Sequence, residues 1–360
     1  MGDPISVGIL GCGSVTQLLH LPALAQIPDR FRVAALCDIS PRVLEGVGAR
    51  WNVAQRFVDP AALIAARQVE AVLVATPHVH HADLARAAMA AGKHVLIEKP
   101  HCLTLGEADD LIATEARAGV IAQVGYMRRY APALGTAKAL LGPHAEIRFA
   151  RVSDIIGANA LIVDSTSHVI RADDISADFI ERAAALQAER VAAAIGAAPP
   201  ALAAAYVLLA ALASHDISAM RELIGRPRRV ASAAQHWNGR FITATFDYGH
   251  FVCQFAAGVD QIGRMDAFLE VNTPARLVRV DYDTPFVRNL PARLTITEPQ
   301  DRVGVSRTDG FSSRQDSFVL EWLAFHDAIV SGRAPKTSLA DAREDLGLFV
   351  EIIEHMRRPH

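Results

Sequence analysis

Residues 7–15 read VGILGCGSV, and this stretch decides the fold. An apolar run ends there at two glycines, and a helical pattern follows. Gly11 permits a tight turn, Gly13 lets the backbone approach a pyrophosphate, and free N–H groups at the helix start face its negative charge. The usual third glycine is absent, because Thr16 stands there. A plain strand-to-helix turn is the alternative, but we predict a dinucleotide-binding turn formed by Gly11, Cys12, Gly13, Ser14 and Val15.

Short apolar runs alternate with helical patterns over the first 125 residues. The runs predict strands at Ile5–Leu10, Phe31–Cys37, Ala71–Ala75, His94–Ile97 and Ile121–Gly125. Two of the intervening helices carry start signals, namely Ser40 before a proline, and Thr104 three residues before Glu107. Strands that alternate with helices favour an α/β fold, so we predict a Rossmann doubly wound parallel sheet at residues 1–125.

The pattern changes after Tyr126. Two long helices are predicted at Ile175–Ala198 and Ala201–Ile224. Strands are predicted at Arg148–Asp154, Arg229–Trp237, Arg240–Tyr248, His250–Ala257, Ala267–Asn272, Leu277–Asp281 and Arg293–Thr297. A hairpin turn is predicted at residues 247–249. Helices grouped apart from consecutive strands favour an α+β domain with a large, mostly antiparallel open sheet at residues 126–360, with the option that its terminal helix packs back on the N-terminal domain.

Composition excludes several classes of protein. The net charge is −3, which gives no reason to expect nucleic acid or an anionic membrane as partner. The uncharged stretch Val191–Ser214 is long enough to span a membrane, but Pro199-Pro200 interrupts it, so we expect two buried or interfacial helices that meet at a turn. The four cysteines are scattered without zinc spacing. We therefore predict no metal site and a cytoplasmic protein with reduced thiols.

Asp38 ends the second predicted strand, 25 residues beyond Gly13. An acid at this place accepts hydrogen bonds from the adenosine ribose hydroxyls and repels a 2′-phosphate. Ile39 follows, where an arginine could have paired with such a phosphate. The alternative is an ordinary polar residue at a strand end. We predict NAD rather than NADP as the cofactor.

Three further stretches join residues 7–15 in a resemblance. These are ATPHVHH at 75–81, AGKHVLIEKPHCLTLGEADDLI at 91–112 and VGYMRRYAP at 124–132. In this order they resemble the glucose–fructose oxidoreductase and inositol dehydrogenase family (Gfo/Idh/MocA). The resemblance implies a dinucleotide-binding domain, an α+β domain with an open sheet, and a homodimer or homotetramer. It also implies hydride transfer between a bound nicotinamide and a hydroxyl or keto carbon of a sugar, cyclitol or related polyol.

The resemblance assigns cofactor contacts in two of these stretches. Thr76 and Pro77 resemble the loop at the nicotinamide side, and His78 continues it. His81 occupies the family's histidine four residues past that proline. Glu98 resembles a contact to the nicotinamide ribose.

The resemblance also makes Lys99 the active-site lysine, in contact with both cofactor and substrate. A hydroxyl that loses hydride must lose a proton as well, and a positive donor stabilises the charge that develops on its oxygen. Without the family context, Lys99 would be read as a solvated lysine after a strand. Tyr126, Arg128 and Arg129 resemble the segment beside the substrate.

Residues 208–225, LLAALASHDISAMRELIG, resemble a helix that carries a second family histidine. His215 falls on that histidine and is predicted to be catalytic and substrate-binding, with a core or capping role as the alternative. The family's aspartates are missing, because Ala211 and Ser218 stand at their positions. Asp216 is adjacent, but on a helix it points about 100° away. The resemblance therefore leaves Lys99 and His215 as the minimal pair.

Residues 155–200 depart from the family pattern. Their polar residues Asp164, His168, Asp173 and Asp174 either reshape the site or belong to a surface loop. Two other functions also stay open. One is an enzyme with a permanently bound nicotinamide that performs sugar–sugar or internal redox. The other is a non-catalytic dinucleotide sensor or partner subunit, which the missing acid at Ala211 keeps open.

Overall fold

The computed structural model describes residues 3–142 and 146–357. The chain forms two compact units, and each unit is assembled from three stretches. The first comprises Met1–Gly125, Ser167–Ala194 and Phe318–Leu346, and the second comprises Tyr126–Thr166, Ile195–Ser317 and Gly347–His360. The sequence had instead suggested two contiguous domains that meet after residue 125.

The strands and helices are numbered in chain order. The strands are β1 (Ile5–Leu10), β2 (Phe31–Cys37), β3 (Gln55–Phe57), β4 (Ala71–Val74), β5 (His94–Glu98), β6 (Ala122–Gly125), β7 (Phe149–Gly157), β8 (Arg229–His236), β9 (Phe241–Asp247), β10 (Val252–Asp260), β11 (Met265–Asn272), β12 (Leu277–Tyr282), β13 (Arg293–Pro299) and β14 (Val305–Gly310). The α-helices are α1 (Leu21–Leu24), α2 (Pro41–Arg50), α3 (Pro60–Ala65), α4 (His81–Ala90), α5 (Leu105–Ala118), α6 (Pro132–Leu141), α7 (Ala160–Thr166), α8 (Ala177–Ile195), α9 (Pro200–Leu208), α10 (Ser214–Ile224), α11 (Ser317–Ser331) and α12 (Leu339–Arg357).

The first unit is built on a parallel sheet. Its strand order is β3-β2-β1-β4-β5-β6, and every pair is parallel. All six residues of β1 are buried, as expected for a strand covered by helices on both faces. The order reverses between β1 and β4, and the crevice at their carboxyl ends is where such sheets bind ligands. The predicted Rossmann class is confirmed.

Local sequence signals explain where two of its helices begin. The Ser40 hydroxyl accepts the Val43 N–H at 3.1 Å before α2. Thr104 and Glu107 form the predicted capping box before α5. Each contact satisfies backbone N–H groups that a helix start leaves without partners, which fixes both starts.

The third stretch of the first unit packs along β6. The Val124 N–H donates to the carbonyl of Thr337 at 2.8 Å, and Gln123 donates through its side chain to the carbonyl of Glu321 at 3.0 Å. The edge of the parallel sheet is therefore hydrogen-bonded to chain that arrives about two hundred residues later.

The second unit contains an eight-stranded sheet of order β14-β13-β12-β11-β7-β10-β9-β8. Only the pair β7–β10 is parallel among these described strands. The predicted hairpin joins β9 and β10, and Gly249 supplies its positive φ of 93°. Along β10, buried Cys253 and Phe255 flank exposed Gln254, so one face packs inward and the other is open. The predicted α+β class with a large open sheet is confirmed.

The two predicted long helices are present as α8 and as the continuous helix Pro200–Ile224, which contains a π-helical turn at Leu209–Ala213. Within the described residues, Pro200–Ile224 is also the one helix long and apolar enough to cross a membrane, and 56% of its most apolar window is buried inside the protein. A buried core helix passes that same test, so the finding is weak evidence for a membrane span.

Five elements have no counterpart in the sequence prediction: β3, α3, α6, α7 and β14. Four of these are short or polar, whereas α6 has ten residues and begins without a side-chain cap. Strand β3 has three residues, all partly or fully exposed. Strand β14 is an edge strand whose side chains are mostly polar and exposed. Neither forms an apolar run, which was the signal used to predict strands.

Candidate active site

The glycine turn connects β1 to a π-helical turn at Thr16–His20. Gly11 has a φ of 93°, and a Cβ there would lie 2.5 Å from the carbonyl oxygen of Ala75. A Cβ on Gly13 would meet nothing within 4 Å. Gly11 is therefore required for the turn itself, whereas Gly13 leaves an open backbone surface that a pyrophosphate can approach.

Thr16, which replaces the third glycine, stabilises this turn. Its hydroxyl donates to the carbonyl oxygen of Gly11 at 2.6 Å. The side chain of Gln17 donates to the carbonyl oxygen of Cys12 at 2.8 Å. The turn is thus fixed by side chains of the helix that follows it.

Asp38 is held by backbone donors on both carboxylate oxygens. Oδ2 accepts the N–H of Cys12 at 2.8 Å, and Oδ1 accepts the N–H of Ser40 at 2.9 Å. The end of β2 is thereby joined to the glycine turn. The thiol of Cys12 is buried, and burial raises its pKa, so it fills space as a neutral group.

A cleft of about 870 Å³ opens beside the turn, in the first unit. Seven of the predicted cofactor residues line it: Gly11, Gly13, Ser14, Val15, Asp38, Thr76 and Pro77. The others are not among its lining residues: Cys12, His78, His81, Glu98 and Lys99. The cleft size and its open glycine backbone fit a dinucleotide.

The cleft has a further wall that sequence reasoning did not assign. We call Val169–Ala183 the roof segment; it lies in the second stretch of the first unit and contributes Ile170, Arg171 and Phe179 to the lining. Gln17 holds it twice, donating to the carbonyl oxygen of Ile170 and accepting its N–H, each at 2.9 Å. No motif marks these residues, and their contacts span about 150 positions, so only the fold brings them to the cleft.

Asp173 and Asp174, two of the polar residues noted in the sequence, belong to the roof segment. Asp174 accepts hydrogen bonds from the Ser40 hydroxyl and from the N–H of Arg42, and Asp173 pairs with the Arg42 guanidinium. His168 precedes the roof segment, and its carbonyl accepts from Arg50 at 3.1 Å.

The loop after β4 is held by a buried histidine. His81 Nδ1 lies 2.8 Å from the carbonyl oxygen of Pro100, and Nε2 lies 2.7 Å from that of Thr76. Burial lowers the pKa of His81, so its neutral ring donates to one of these carbonyls at a time. His81 thus bridges the cleft-lining loop and the turn after β5. His78 instead contacts Gln187 at 3.0 Å.

Glu98 and Lys99 stand at the end of β5, before a cis peptide bond between Lys99 and Pro100. Glu98 is buried, and its Oε1 lies 2.9 Å from Nε2 of His20. Trp322 donates its indole N–H to Nδ1 of His20 at 3.1 Å. Because an indole N–H can only donate, Nδ1 is the acceptor and Nε2–H donates to Glu98. Burial opposes ionisation of Glu98, but the bond from His20 and the charge of Lys99 lower its pKa.

The second unit contains the remaining predicted residues. Tyr126 is 1% exposed, and its ring meets that of His215 edge-on with centroids 6.5 Å apart. Arg128 is 2% exposed and pairs with Asp216 and with Asp154, the latter at 3.2 Å. Burial and neighbouring Asp154 raise the pKa of Asp216 against the opposing effect of Arg128. One guanidinium thus faces two buried carboxyl groups.

Ser218, at the position of a missing family aspartate, contacts the same segment. Its Oγ accepts from Arg129 at 3.2 Å, and Glu222 accepts from Arg129 at 2.6 Å. Ala211 lies in the π-helical turn between α9 and α10. Across residues 3–142 and 146–357, no group of three His, Cys, Asp or Glu side chains has the geometry to hold a metal.

The fold and the cleft define a dinucleotide-binding Rossmann domain, and the chain also forms an α+β domain. Residues 5–126 match the family model GFO_IDH_MocA, described as "Oxidoreductase family, NAD-binding Rossmann fold". Residues 5–126 therefore form a domain of the Gfo/Idh/MocA oxidoreductase family, and the resemblance noted in the sequence is confirmed for this domain.

Curated relatives match this chain over part of its length. The chain is 33% identical to an uncharacterised oxidoreductase, YdgJ, of Escherichia coli over 141 residues, which is 39% of this chain and 40% of the relative. It is 35% identical to inositol 2-dehydrogenase 2 of Saccharopolyspora erythraea over 129 residues, which is 36% of this chain and 38% of the relative. The matched regions thus span well under half of either relative.

Solved structures share the fold over the whole chain. A levoglucosan dehydrogenase with bound NADH and levoglucosan aligns with a TM-score of 0.75 at 17% identity, covering 98% of this chain and 97% of that one. A 3-ketoreductase from Actinomadura kijaniata, in complex with TDP-benzene and NADP, aligns with a TM-score of 0.72 at 21% identity, covering 96% of both chains. At these identities the likeness establishes the architecture alone.

Proposed function

We propose that this protein is an NAD(H)-dependent oxidoreductase that acts on a hydroxyl or keto carbon of a sugar, cyclitol or related polyol. The observation that carries the proposal is the cleft of about 870 Å³ at the carboxyl ends of β1 and β4, lined by Gly13 and Asp38. The named activities of the inositol and levoglucosan dehydrogenases support the substrate class by analogy.

Lys99 is the proposed catalytic residue of the first unit. When bound, the nicotinamide accepts or returns the hydride. Lys99 holds a positive donor at the substrate oxygen and stabilises negative charge there. His81 and Glu98 are proposed to position Lys99. His81 contacts the carbonyl oxygen of Pro100, and Glu98 accepts the N–H of Lys99 at 3.1 Å.

His215 is the proposed proton acceptor and donor of the second unit, and it shares substrate contact with Tyr126. We infer that Arg128 is a positioning residue for this pair, because its guanidinium pairs with Asp154 and Asp216. Asp216 in turn lies in the first turn of α10, next to His215. Arg128 therefore contacts two buried carboxyl groups, Asp154 and Asp216, and Asp216 lies on a helix that lacks the family's aspartates.

Asp38 supports NAD over NADP in this proposal. Its two oxygens are oriented by backbone N–H groups and retain lone pairs for ribose hydroxyls. A fixed carboxylate at this point repels a 2′-phosphate.

A second candidate function keeps the nicotinamide bound through the whole cycle. The roof segment favours it, because it lines the cleft and is held by Gln17, Ser40 and Arg42. An enzyme of this kind oxidises one substrate and reduces another without releasing the cofactor.

We also propose a cellular location and an oligomeric state. The four cysteines are free and buried, which supports a reducing, cytoplasmic environment. We expect a homodimer or homotetramer in which the open face of the eight-stranded sheet is covered by another copy.

The test begins with the cofactor content of the purified protein and a fluorescence titration with NADH and NADPH. A polyol and sugar panel follows with the preferred dinucleotide. Turnover of a polyol with NAD would support the first candidate, and nicotinamide present at purification in near-equal amount would support the second. Absence of any dinucleotide, bound or bindable, would overturn both.

A further inference from the structure

The roof segment brings an anion to the start of α2. Ser40 is the N-cap residue, and its hydroxyl both accepts the N–H of Val43 at 3.1 Å and donates to Oδ1 of Asp174. Oδ2 of Asp174 accepts the N–H of Arg42 at 3.1 Å. These bonds, Ser40 first, lower the pKa of Asp174. The carboxylate therefore occupies a helix N-terminus in the way that a bound anion does.

This helix start adjoins the cleft on the side where Asp38 is proposed to meet the adenosine ribose. Asp38 is two residues before Ser40, and both Ile39 and Val43 line the cleft. In Rossmann domains the residues just after the second strand meet the adenosine ribose, where NADP carries its additional phosphate.

The same donors are what a 2′-phosphate would need. The Ser40 hydroxyl and the Arg42 N–H are engaged by Asp174, and the Arg42 guanidinium is paired with Asp173. A phosphate at this point would meet the carboxylates of Asp38 and Asp174 without these partners. Like charges held close together disfavour binding.

We propose that Asp174 is a specificity-determining residue that occupies the 2′-phosphate position and selects NAD(H) over NADP(H). The inference rests on the proposed dinucleotide function and extends it. Asp174 lies in the chain between β7 and α8, more than 130 residues after the end of β2, which it adjoins. Dinucleotide choice is therefore determined by two carboxylates from separate stretches of the first unit.

Fluorescence titration of the full-length wild type, Asp174→Asn and Asp174→Ala with NADH and NADPH tests this. Asparagine removes the charge and keeps the shape, whereas alanine also frees the donors. We expect NADPH affinity to rise about fivefold in the first variant and at least about tenfold in the second, with NADH affinity within about threefold of wild type. The gain should shrink as salt is raised.

Asp29→Asn is the matched control, because Asp29 is an exposed acid that pairs with Arg30 and lies outside both the roof segment and the cleft lining. It should leave both affinities unchanged. Equal changes in the affinities for NADH and NADPH in the Asp174 variants would overturn the inference. Asp174 would then serve only to hold the roof segment in place.

Two outcomes in the wild type also decide the matter. NADPH binding as tight as NADH binding would overturn the inference and direct attention to Arg171, a cation in the cleft lining. Binding of neither dinucleotide by cofactor-free protein would overturn the proposed function itself. NADH binding with unaltered discrimination in the variants would overturn the inference alone.

Discussion

His20 donates through Nε2 to Glu98, with 2.9 Å between the ring nitrogen and Oε1. The acid that the family resemblance assigns to the nicotinamide ribose is therefore already hydrogen-bonded inside the protein. Its partner is oriented in turn by Trp322. This chain of three buried side chains holds Glu98 at the end of β5, directly before Lys99.

Replacing His20 by alanine should destabilise the first unit. It leaves the Glu98 carboxylate buried without its ring partner, at a cost of about 2–4 kcal/mol in the free energy of unfolding. Urea denaturation measures this cost. Glu98→Gln should cost less, because a neutral amide can still accept from His20. Equal stability of His20→Ala and wild type would contradict the assigned network.

Lys99→Ala should lower turnover of a polyol substrate by about 10²–10⁴. Dinucleotide affinity should remain close to wild type, because the glycine turn and Asp38, which line the cleft, are unchanged in this variant. Steady-state kinetics and NADH titration measure the two effects separately. Lys93→Ala is a suitable control, since its ammonium group donates to backbone carbonyls of Ala66 and Val69. Normal turnover by Lys99→Ala would rule out the proposed catalytic role.

Alanine at the two turn glycines should separate folding from binding. Gly11→Ala introduces a contact of 2.5 Å with the Ala75 carbonyl at a positive φ, so we expect a loss of stability of about 1–3 kcal/mol or more. Gly13→Ala has open space for its Cβ and should keep its stability. It should nevertheless weaken NADH binding, because the methyl group projects where the pyrophosphate approaches. Thermal melts and titrations distinguish these cases, and equal melting of both variants would refute the distinction.

Gln17→Ala should speed release of a bound dinucleotide. The substitution removes both hydrogen bonds to the backbone of Ile170, so the roof segment loses an anchor beside the cleft. We expect the dissociation rate of NADH to rise about tenfold, measured by stopped-flow displacement. Gln26→Ala, an exposed control, should leave the rate unchanged. A rate that is also unchanged in Gln17→Ala would mean that the roof segment does not limit release.

Asp216→Asn should remove part of the pH dependence of stability. Because the pKa of Asp216 is raised in the folded protein, the folded state keeps a proton that the unfolded state releases above a pH of about 4. The free energy of unfolding of the wild type then falls as pH rises from there through the folded pKa, by at most about 1.4 kcal/mol per pH unit.

The asparagine variant resembles the protonated form at every pH. Its stability relative to wild type should therefore increase with pH over that window, as urea titrations at several pH values can measure. A difference that stays constant with pH would indicate that Asp216 is ionised throughout.

Sequence patterns predicted the elements whose signals are local. The apolar runs of β1, β2, β4, β5 and β6 and the caps at Ser40 and Thr104 all lie within a few residues of the structure they specify. The glycine turn was predicted in the same way, and its strained glycine, Gly11, is the one that a Cβ would not fit.

Contacts between distant stretches could not be predicted. Asp174 contacts Ser40, and Trp322 contacts His20, although no periodicity or motif in the sequence indicates either pair. The residues around Asp216 in the sequence do not indicate its contact with Arg128 and Asp154, because both partners are far from it along the chain. Such pairings depend on how separate segments pack, and a single sequence does not encode them locally.

The discontinuity of the first unit also has a consequence for synthesis. Ribosomes deliver chain from the N-terminus at about 5–20 residues per second, so residue 346 follows residue 125 by on the order of ten to forty seconds. During that interval the nascent parallel sheet lacks the stretch that borders β6 and supplies Trp322. The parallel sheet, whose strands are translated first, therefore gains its last bordering stretch only near the end of synthesis, and an expression fragment that stops at residue 125 would lack two of the three stretches of the first unit.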